Sequence, residues 1–136
     1  MNPVAIDIKD ILVEAGAGVF AAKNGWSIHV DNEPDGDNVP DTVVSIWNTI
    51  SSEGKVIGVN NPTFDSYFQV RVRGLDYLKA YEKVKECRTA LDRKTNFRKG
   101  DMFYAGISTQ DGEPLPLPQD KKGRFIFVQN FKAVRQ

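Results

Sequence analysis

The residues best suited to chemistry lie in the first 90 positions of the chain. The stretch GAGVFA (16–21) has the G-x-G-x-x-A spacing of a dinucleotide-binding loop, and DNEPDGDN (31–38) begins like a calcium-binding loop, with Asp31, Glu33 and Asp35 at alternate positions. His29 and Cys87 are the single histidine and the single cysteine, and these residue types can act as base, nucleophile or metal ligand. Whether any of these motifs or residues has a chemical role depends on the helix, strand or loop in which it lies.

The surrounding elements favour structural roles for all four features. The glycines of residues 16–21 follow a helical pattern instead of a strand, so we interpret them as a helix end. The twelfth position of the calcium pattern is Thr42, not the required glutamate, and a strand-like run follows, which indicates an acidic solvated loop. His29 has no second histidine to pair with, and Cys87 lies on an apolar helix face. We therefore expect a protein that is not an enzyme, with no catalytic residues, no cofactor and no metal site.

Length and composition indicate one globular domain over residues 1–136. The chain is 40% hydrophobic and 26% charged, which is typical of globular proteins. No stretch approaches the ~20 apolar residues of a membrane-spanning helix, and the first residues lack the basic and apolar regions of a secretory signal. One cysteine excludes an internal disulfide, so we expect an intracellular origin and no membrane partner.

The charges are distributed unevenly along the chain, although they sum to zero. Residues 1–66 contain ten Asp and Glu against three Lys, a net charge of −7, and residues 67–136 contain fifteen Lys and Arg against eight acids, a net charge of +7. The halves can neutralise each other inside one fold, or join neighbouring subunits head to tail. Charge alone favours pairing within the fold.

Hydrophobic periodicity predicts the element order α-β-β-β-α-β-β. Helical spacing begins near Val4, with Asp7 on the solvent side of this first helix, and returns over residues 75–91. Strand-like runs occupy residues 26–30, 42–50, 67–74, 102–109 and 124–135. Residues 51–65, 92–101 and 110–123 are interpreted as connections. The sequence thus predicts an α+β fold with a single mainly antiparallel or mixed β-sheet and two helices packed on one face.

The third predicted strand, YFQVRVRG (67–74), has two chemically different sides. Phe68, Val70 and Val72 point to the core, and every second residue points the other way. We call this second set the outer row: Tyr67, Gln69, Arg71 and Arg73. Helices on one face of the sheet would leave the outer row uncovered, which makes it our candidate surface for contact with another subunit or partner.

The same arginines support an alternative function. Arg71 and Arg73, together with the basic cluster from Arg93 to Lys99 (Arg93, Lys94, Arg98 and Lys99), could form a nucleic-acid-binding α/β module. The K/R-G-F/Y pattern of an RNA-recognition sheet is absent, and a net charge of zero weighs against an electrostatic footprint for nucleic acid. We therefore expect no specific nucleic-acid binding but retain this module as the alternative.

Three segments resemble bacteriophage tail terminator and minor capsid (head–tail joining) proteins. NPTFDSYFQVRVRGLDYLKAYEKVKECRTAL (61–91) is similar to that family's extended lead-in, Q-V-R-V-R-G strand and following helix. DIKDILVEAG (7–16) resembles its first helix, and the end of the chain, from YAGI to NFKAVR, resembles its final hairpin. The segments cover most of the chain in the family's order, and the predicted element order agrees with the terminator fold.

The resemblance implies a virion component of the tail or neck, made in the host bacterial cytoplasm. Such proteins form a homo-oligomeric ring, commonly a hexamer, on the head-proximal end of the tail tube, where they stop polymerisation and join the tail to the head connector. The implied partners are further copies of the chain, the tube protein and the connector or neck protein, and DNA passes through the ring.

Two connections depart from the family pattern, residues 51–65 and the proline-rich residues 112–120. In ring proteins such loops reach neighbouring subunits or the tube, but a simple surface loop explains each equally well. For the outer row, we expect replacement of Arg71 and Arg73 by glutamate to disturb assembly while leaving the monomer folded.

Overall fold

The computed structural model describes residues 2–49 and 63–136, which contain two α-helices and eight β-strands. The helices are α1 (Val4–Glu14) and α2 (Tyr77–Leu91). The strands are β1 (Val19–Phe20), β2 (Ser27–Val30), β3 (Val43–Asn48), β4 (Phe64–Gly74), β5 (Thr95–Lys99), β6 (Met102–Thr109), β7 (Leu115–Leu117) and β8 (Phe125–Arg135). Among the described helices, none is long and apolar enough to cross a membrane.

The predicted α+β fold is confirmed, with a mixed sheet and both helices on one face. All five predicted strands are present as β2, β3, β4, β6 and β8, although β4 begins earlier than predicted, at Phe64. The structure adds β1, β5 and β7, which lie in segments without clear alternation and which form strands because a neighbouring strand pairs with them. The predicted end of β3 at residue 50 and most of the predicted 51–65 connection lie outside the described residues.

The sheet has the strand order β1-β2-β3-β4-β8-β6-β5, and β7 pairs with β8 beside this path. β1, β2 and β3 are parallel, and the other pairs are antiparallel. The centre is the long β4–β8 pair, in register from Phe64 opposite Arg135 to Gly74 opposite Phe125. On its other side β4 pairs with β3, so residues from the two charge halves of the sequence lie side by side in one sheet.

Helix α1 ends where the sequence predicts, at the glycines of GAGVFA. Gly16 has φ +80°, a left-handed conformation that suits glycine, and Ala17 N–H donates to the Leu12 carbonyl at 3.0 Å. A Cβ atom on Gly18 would lie 2.7 Å from the Trp26 carbonyl oxygen, so only glycine fits between the helix end and β2. The helix-end interpretation of this motif is confirmed.

Helix α2 begins after the N-capping residue Asp76 and buries one narrow apolar face. The Asp76 side chain accepts a hydrogen bond from Lys79 N–H at 3.0 Å. Ala80, Val84, Cys87 and Leu91 are fully buried against the sheet. Burial raises the pKa of the Cys87 thiol to about 12, which keeps it protonated and confirms a core role.

The core between helices and sheet contains one carboxylate that the helical pattern had predicted to face solvent. Asp7 was predicted on the wet side of α1, but it is 1% exposed. The Tyr104 hydroxyl donates to its carboxylate at 2.5 Å, and Arg135 Nη1 lies 4.0 Å away. Arg135 also donates to the Ser66 hydroxyl at 3.0 Å. We call Asp7, Ser66, Tyr104 and Arg135 the core cluster; it ties the first helix to the last strand.

Candidate subunit interface

The outer row lies on the face of β4 that points away from the helices, as predicted. On the core side, Phe68, Val70 and Val72 are fully buried, and Phe68 stacks on Phe131 with ring centroids 5.0 Å apart. On the outer side, register places Gln69 beside Trp47 and Asn130, and Arg71 beside Ser45 and Val128. The two-sided interpretation of this strand is confirmed.

The prediction that the whole outer row is uncovered is wrong for Arg73, which is only 2% exposed. Residues 31–41, which we call the acidic loop, connect β2 to β3 and cross this face. The Arg73 guanidinium donates to three loop carbonyls: Pro34 at 3.0 Å, Pro40 at 3.1 Å and Asp41 at 3.2 Å. A loop lacks regular backbone partners, so the five N–H donors of arginine satisfy several of its carbonyls at once.

Arg71 also turns to the acidic loop, but it remains partly open to solvent. Its Nε lies 3.0 Å and 3.2 Å from the two carboxylate oxygens of Glu33. The side chain is 29% exposed, compared with near-complete burial of Arg73. Arg71 therefore marks the border between the covered and the open part of the outer row.

A third arginine, Arg124, holds the acidic loop from the start of β8. Its guanidinium contacts Asp120 at 2.7 Å, Asp35 at 3.0 Å and Asp41 at 3.2 Å, and its side chain is 5% exposed. Arg124 could not be singled out from the sequence, because nothing in its neighbours distinguishes it from other strand-flanking cations. We call the set Arg71, Arg73, Arg124, Glu33, Asp35, Asp41 and Asp120 the loop cluster.

The charges in the loop cluster shift the pKa values of the groups they contact. Hydrogen bonds from Arg124 and Lys122 hold the pKa of Asp35 well below its usual range. Burial opposes ionisation of Asp120, yet hydrogen bonds from the Arg124 backbone and side chain still lower its pKa. Burial, aided by the nearby Arg73 charge, lowers the pKa of His29. These contacts thus favour the ionised forms of Asp35 and Asp120 and the neutral form of His29.

An apolar layer lies beneath the acidic loop, on the side of the sheet opposite the main core. Val43 is fully buried, and Ile126 and Val128 on β8 are nearly so. The register places Val43 and Ile126 on either side of Arg73. The loop therefore covers hydrophobic side chains as well as arginines, which explains why it can remain packed on this face.

The open part of the outer row is the end formed by Tyr67 and Gln69, which are half-buried. Gln69 donates to the Asn130 side chain at 3.1 Å, and the Trp47 indole donates to Ser45 at 3.0 Å. These groups form a polar and aromatic surface next to Arg71. Contact of this surface with another subunit stays a prediction.

Ion pairs between the two charge halves form within the chain, as charge alone favoured. Glu33 pairs with Arg71, Asp35 with Lys122 and Arg124, and Glu14 with Lys99. Glu33, Asp35 and Asp41 of the acidic loop thus face basic side chains. Asp31 instead accepts hydrogen bonds from Asn48. Within residues 2–49 and 63–136, no group of His, Cys, Asp and Glu is arranged to hold a metal ion.

The two basic groups of the nucleic-acid alternative lie in separate places. Arg71 and Arg73 contact the acidic loop from the central strand β4. The cluster from Arg93 to Lys99 occupies β5 and the turn before it, at the sheet edge, with β8 and β6 between β5 and β4. The structure therefore does not combine them into one basic surface.

Comparisons with known proteins agree with this fold. A family model described as bacteriophage tail terminator protein matches residues 16–136. A solved chain from the virion of a native gene transfer agent particle superposes with a TM-score of 0.60 at 14% identity, over 79% of this chain and 77% of that chain. No curated protein matches. The structural likeness shows a shared fold, and the family match spans nearly the whole chain. The chain belongs to the bacteriophage tail terminator family.

Proposed function

We propose that this tail protein assembles as a homo-oligomeric ring, a hexamer, on the head-proximal end of the tail tube. There it stops tube polymerisation and joins the tail to the head connector or neck protein, in a structural and not a catalytic role. The observation that carries this proposal is the match to the tail terminator family over residues 16–136. The protein would be made in the host cytoplasm and end in the neck of the virion.

A ring of identical subunits needs two different surfaces that fit each other head to tail and close after a fixed number of copies. The loop cluster offsets part of the charge asymmetry of the sequence, since Arg71 and Arg124 pair with three carboxylates of the acidic loop, those of Glu33, Asp35 and Asp41. We therefore assign the ring contact to the open part of the outer row, Tyr67 and Gln69 with Arg71 at its border.

The ring can be tested with the purified protein and tail tubes of the same phage. Light scattering across a concentration series gives the mass in solution, and electron microscopy shows where the protein lies on the tube. We expect a ring-shaped density at one end of each tube, with the free chain either monomeric or hexameric. Density along the tube wall, or tubes with bare ends, would contradict the proposal.

The position of the contact can be tested with Tyr67→Asp. Tyr67 is half-buried and lies in the open part of the outer row, so a charge there should weaken a subunit contact without emptying the core. We expect fewer terminal rings and a thermal midpoint within a few degrees of the original protein. Lys79→Asp, on the exposed face of α2, serves as control and should leave ring formation unchanged.

Replacing Arg71 and Arg73 together by glutamate is not a clean test of assembly. Arg73 is buried and donates hydrogen bonds to three loop carbonyls. A glutamate at that position has no N–H to donate, so the three carbonyls would lose their hydrogen bonds and would face a buried carboxylate. Contrary to the expectation from the sequence, we expect the double variant to destabilise the monomer. Any assembly defect would then follow from unfolding of the loop.

A further inference from the structure

The proline-rich residues 112–120 contain an edge strand, although their composition predicted a connection. β7 (Leu115–Leu117) pairs with β8, and among residues 2–49 and 63–136 no strand pairs with its other edge. The side chains of Leu115 and Leu117 are 48% and 37% exposed. An exposed apolar strand edge is a place where another chain can add a strand through backbone hydrogen bonds, so such an edge favours association.

Strand register determines which backbone groups of β7 face outward. On the β7 side of β8, the Asn130 carbonyl accepts from Gln110 N–H at 2.8 Å. The direction of the backbone groups alternates along a strand, so Val128 points to the same side and exchanges hydrogen bonds with its partner Leu115. Pro116, the next residue of β7, therefore points its carbonyl away from β8, to the free edge.

The free edge of β7 offers acceptors but no donors. Pro116 has no N–H, and neither do Pro114 and Pro118, the residues on either side of β7. The two leucines between these prolines do have N–H groups, but both face β8. Strand pairing needs donors as well as acceptors, so the carbonyls of an added strand would find no partner along residues 114–118.

The edges at the two ends of the described sheet are protected by other means. β1 is only two residues long. β5 contains Asn96 at φ 52° and carries Arg98 and Lys99. Shortness, irregular backbone and charge each oppose strand addition. Residues 114–119 contain no charged side chain, so protection of the β7 edge depends on its prolines.

We propose that Pro114, Pro116 and Pro118 close the free edge of β7 against strand addition by a second copy of the chain. Two copies present identical edges, which without the prolines would pair antiparallel about a two-fold axis. With the prolines, another molecule can contact β7 through its side chains but cannot extend the sheet. This inference goes beyond the proposed ring and does not depend on it.

The closed edge can be tested by replacing two exposed prolines, Pro116→Thr with Pro118→Thr, which supplies N–H donors and favours a strand. Sedimentation velocity of the full chain at matched concentrations gives the mass of each species. Because the edges pair two by two, we expect the variant to form species of at least twice the mass of those formed by the original chain. The control, Pro3→Thr with Pro40→Thr, removes two prolines outside the strands and should leave the mass unchanged.

Amide hydrogen exchange identifies the contact within the associated species. The new amides at positions 116 and 118 should exchange slowly, because they donate to the other copy. Adding Leu117→Lys to the double variant places a charge on the same edge and should restore the mass of the original chain.

A destabilised variant separates edge pairing from aggregation through unfolding. Asp7→Ala weakens the core cluster but keeps the prolines, so it should not form the species of doubled mass. The proposal is overturned if the proline variant keeps the mass of the original chain, or if the proline control or Asp7→Ala associates to the same extent. It is also overturned if exchange slows at β1 or β5 instead of at residues 115–118.

Discussion

The core cluster and the loop cluster both contain buried arginine side chains, but they supply the partners of these side chains in different ways. In the core cluster both ions are inside: Asp7 is 1% exposed and Arg135 is 5% exposed. In the loop cluster Arg73 and Arg124 are inside, whereas the Asp35 and Asp41 side chains that face Arg124 are 43% and 47% exposed. The first cluster connects the ends of the described chain, and the second fastens a loop to the outer face of the sheet.

This difference determines what each cluster can contribute. A buried ion that loses its partner cannot regain water, so removing one member of the core cluster should destabilise the whole fold. Half-exposed carboxylates recover hydration when the loop lifts, and salt screens them. We therefore expect the core cluster to govern global unfolding and the loop cluster to govern local opening of the acidic loop.

The largest expected effect comes from breaking the core cluster with Asp7→Ala. The substitution leaves Arg135 buried without its carboxylate and the Tyr104 hydroxyl without its acceptor. We expect the free energy of unfolding to fall by about 3–5 kcal/mol, measured by denaturant titration. Asp10→Ala, on the same helix but half-exposed, should change it by about 0.5 kcal/mol at most. Equal losses in the two variants would show that the core cluster is unimportant.

A smaller and more local effect is expected from Arg124→Met in the loop cluster. Asp35, Asp41 and Asp120 lose their shared partner, but all three can turn to water. We expect a global loss of about 1–2 kcal/mol and faster amide exchange confined to residues 31–41. Lys122→Met removes an exposed partner of the same Asp35 and should cost about 0.5 kcal/mol or less. Faster exchange throughout the sheet would contradict a local role.

The smallest effect concerns pH, through His29. Its pKa in the folded protein is lowered by burial and by Arg73, so the unfolded chain takes up the proton first as pH falls. Stability should therefore be full above the ordinary histidine pKa of about 6.5 and should decline as pH falls below that value. His29→Gln should flatten the pH dependence of the thermal midpoint between neutral and mildly acidic pH. An unchanged slope would assign the dependence to other groups.

Local patterns allowed much of the fold to be predicted from the sequence. Alternation in residues 67–74 identified the buried side of β4, and helical spacing identified α1 and α2. The short strands were missed because pairing, not composition, makes them strands: β5 contains Asn96 at φ 52° and pairs with β6 nonetheless. Asp7 was misplaced because a helix pattern gives only the average polarity of a face, and its partners Tyr104 and Arg135 lie far along the chain.

The candidate interface was predicted only in part, for a related reason. Alternation assigned Tyr67, Gln69, Arg71 and Arg73 to one side, and the structure places them there. Whether that side is open depends on the path of residues 31–41, which no periodic pattern fixes. The acidic loop covers Arg73 because Arg124, more than eighty positions later in the sequence, pairs with Asp35 and Asp41.

The growth of tail tubes in the presence of this chain tests the ring proposal most directly. The tube protein of the same virion is allowed to polymerise while the chain is added in less than equal amount, and tube length is followed by electron microscopy. We predict that growth stops early, with a ring at one end of each tube, and that Tyr67→Asp restores longer tubes. Tubes that reach the same length with and without the chain would contradict a terminator role.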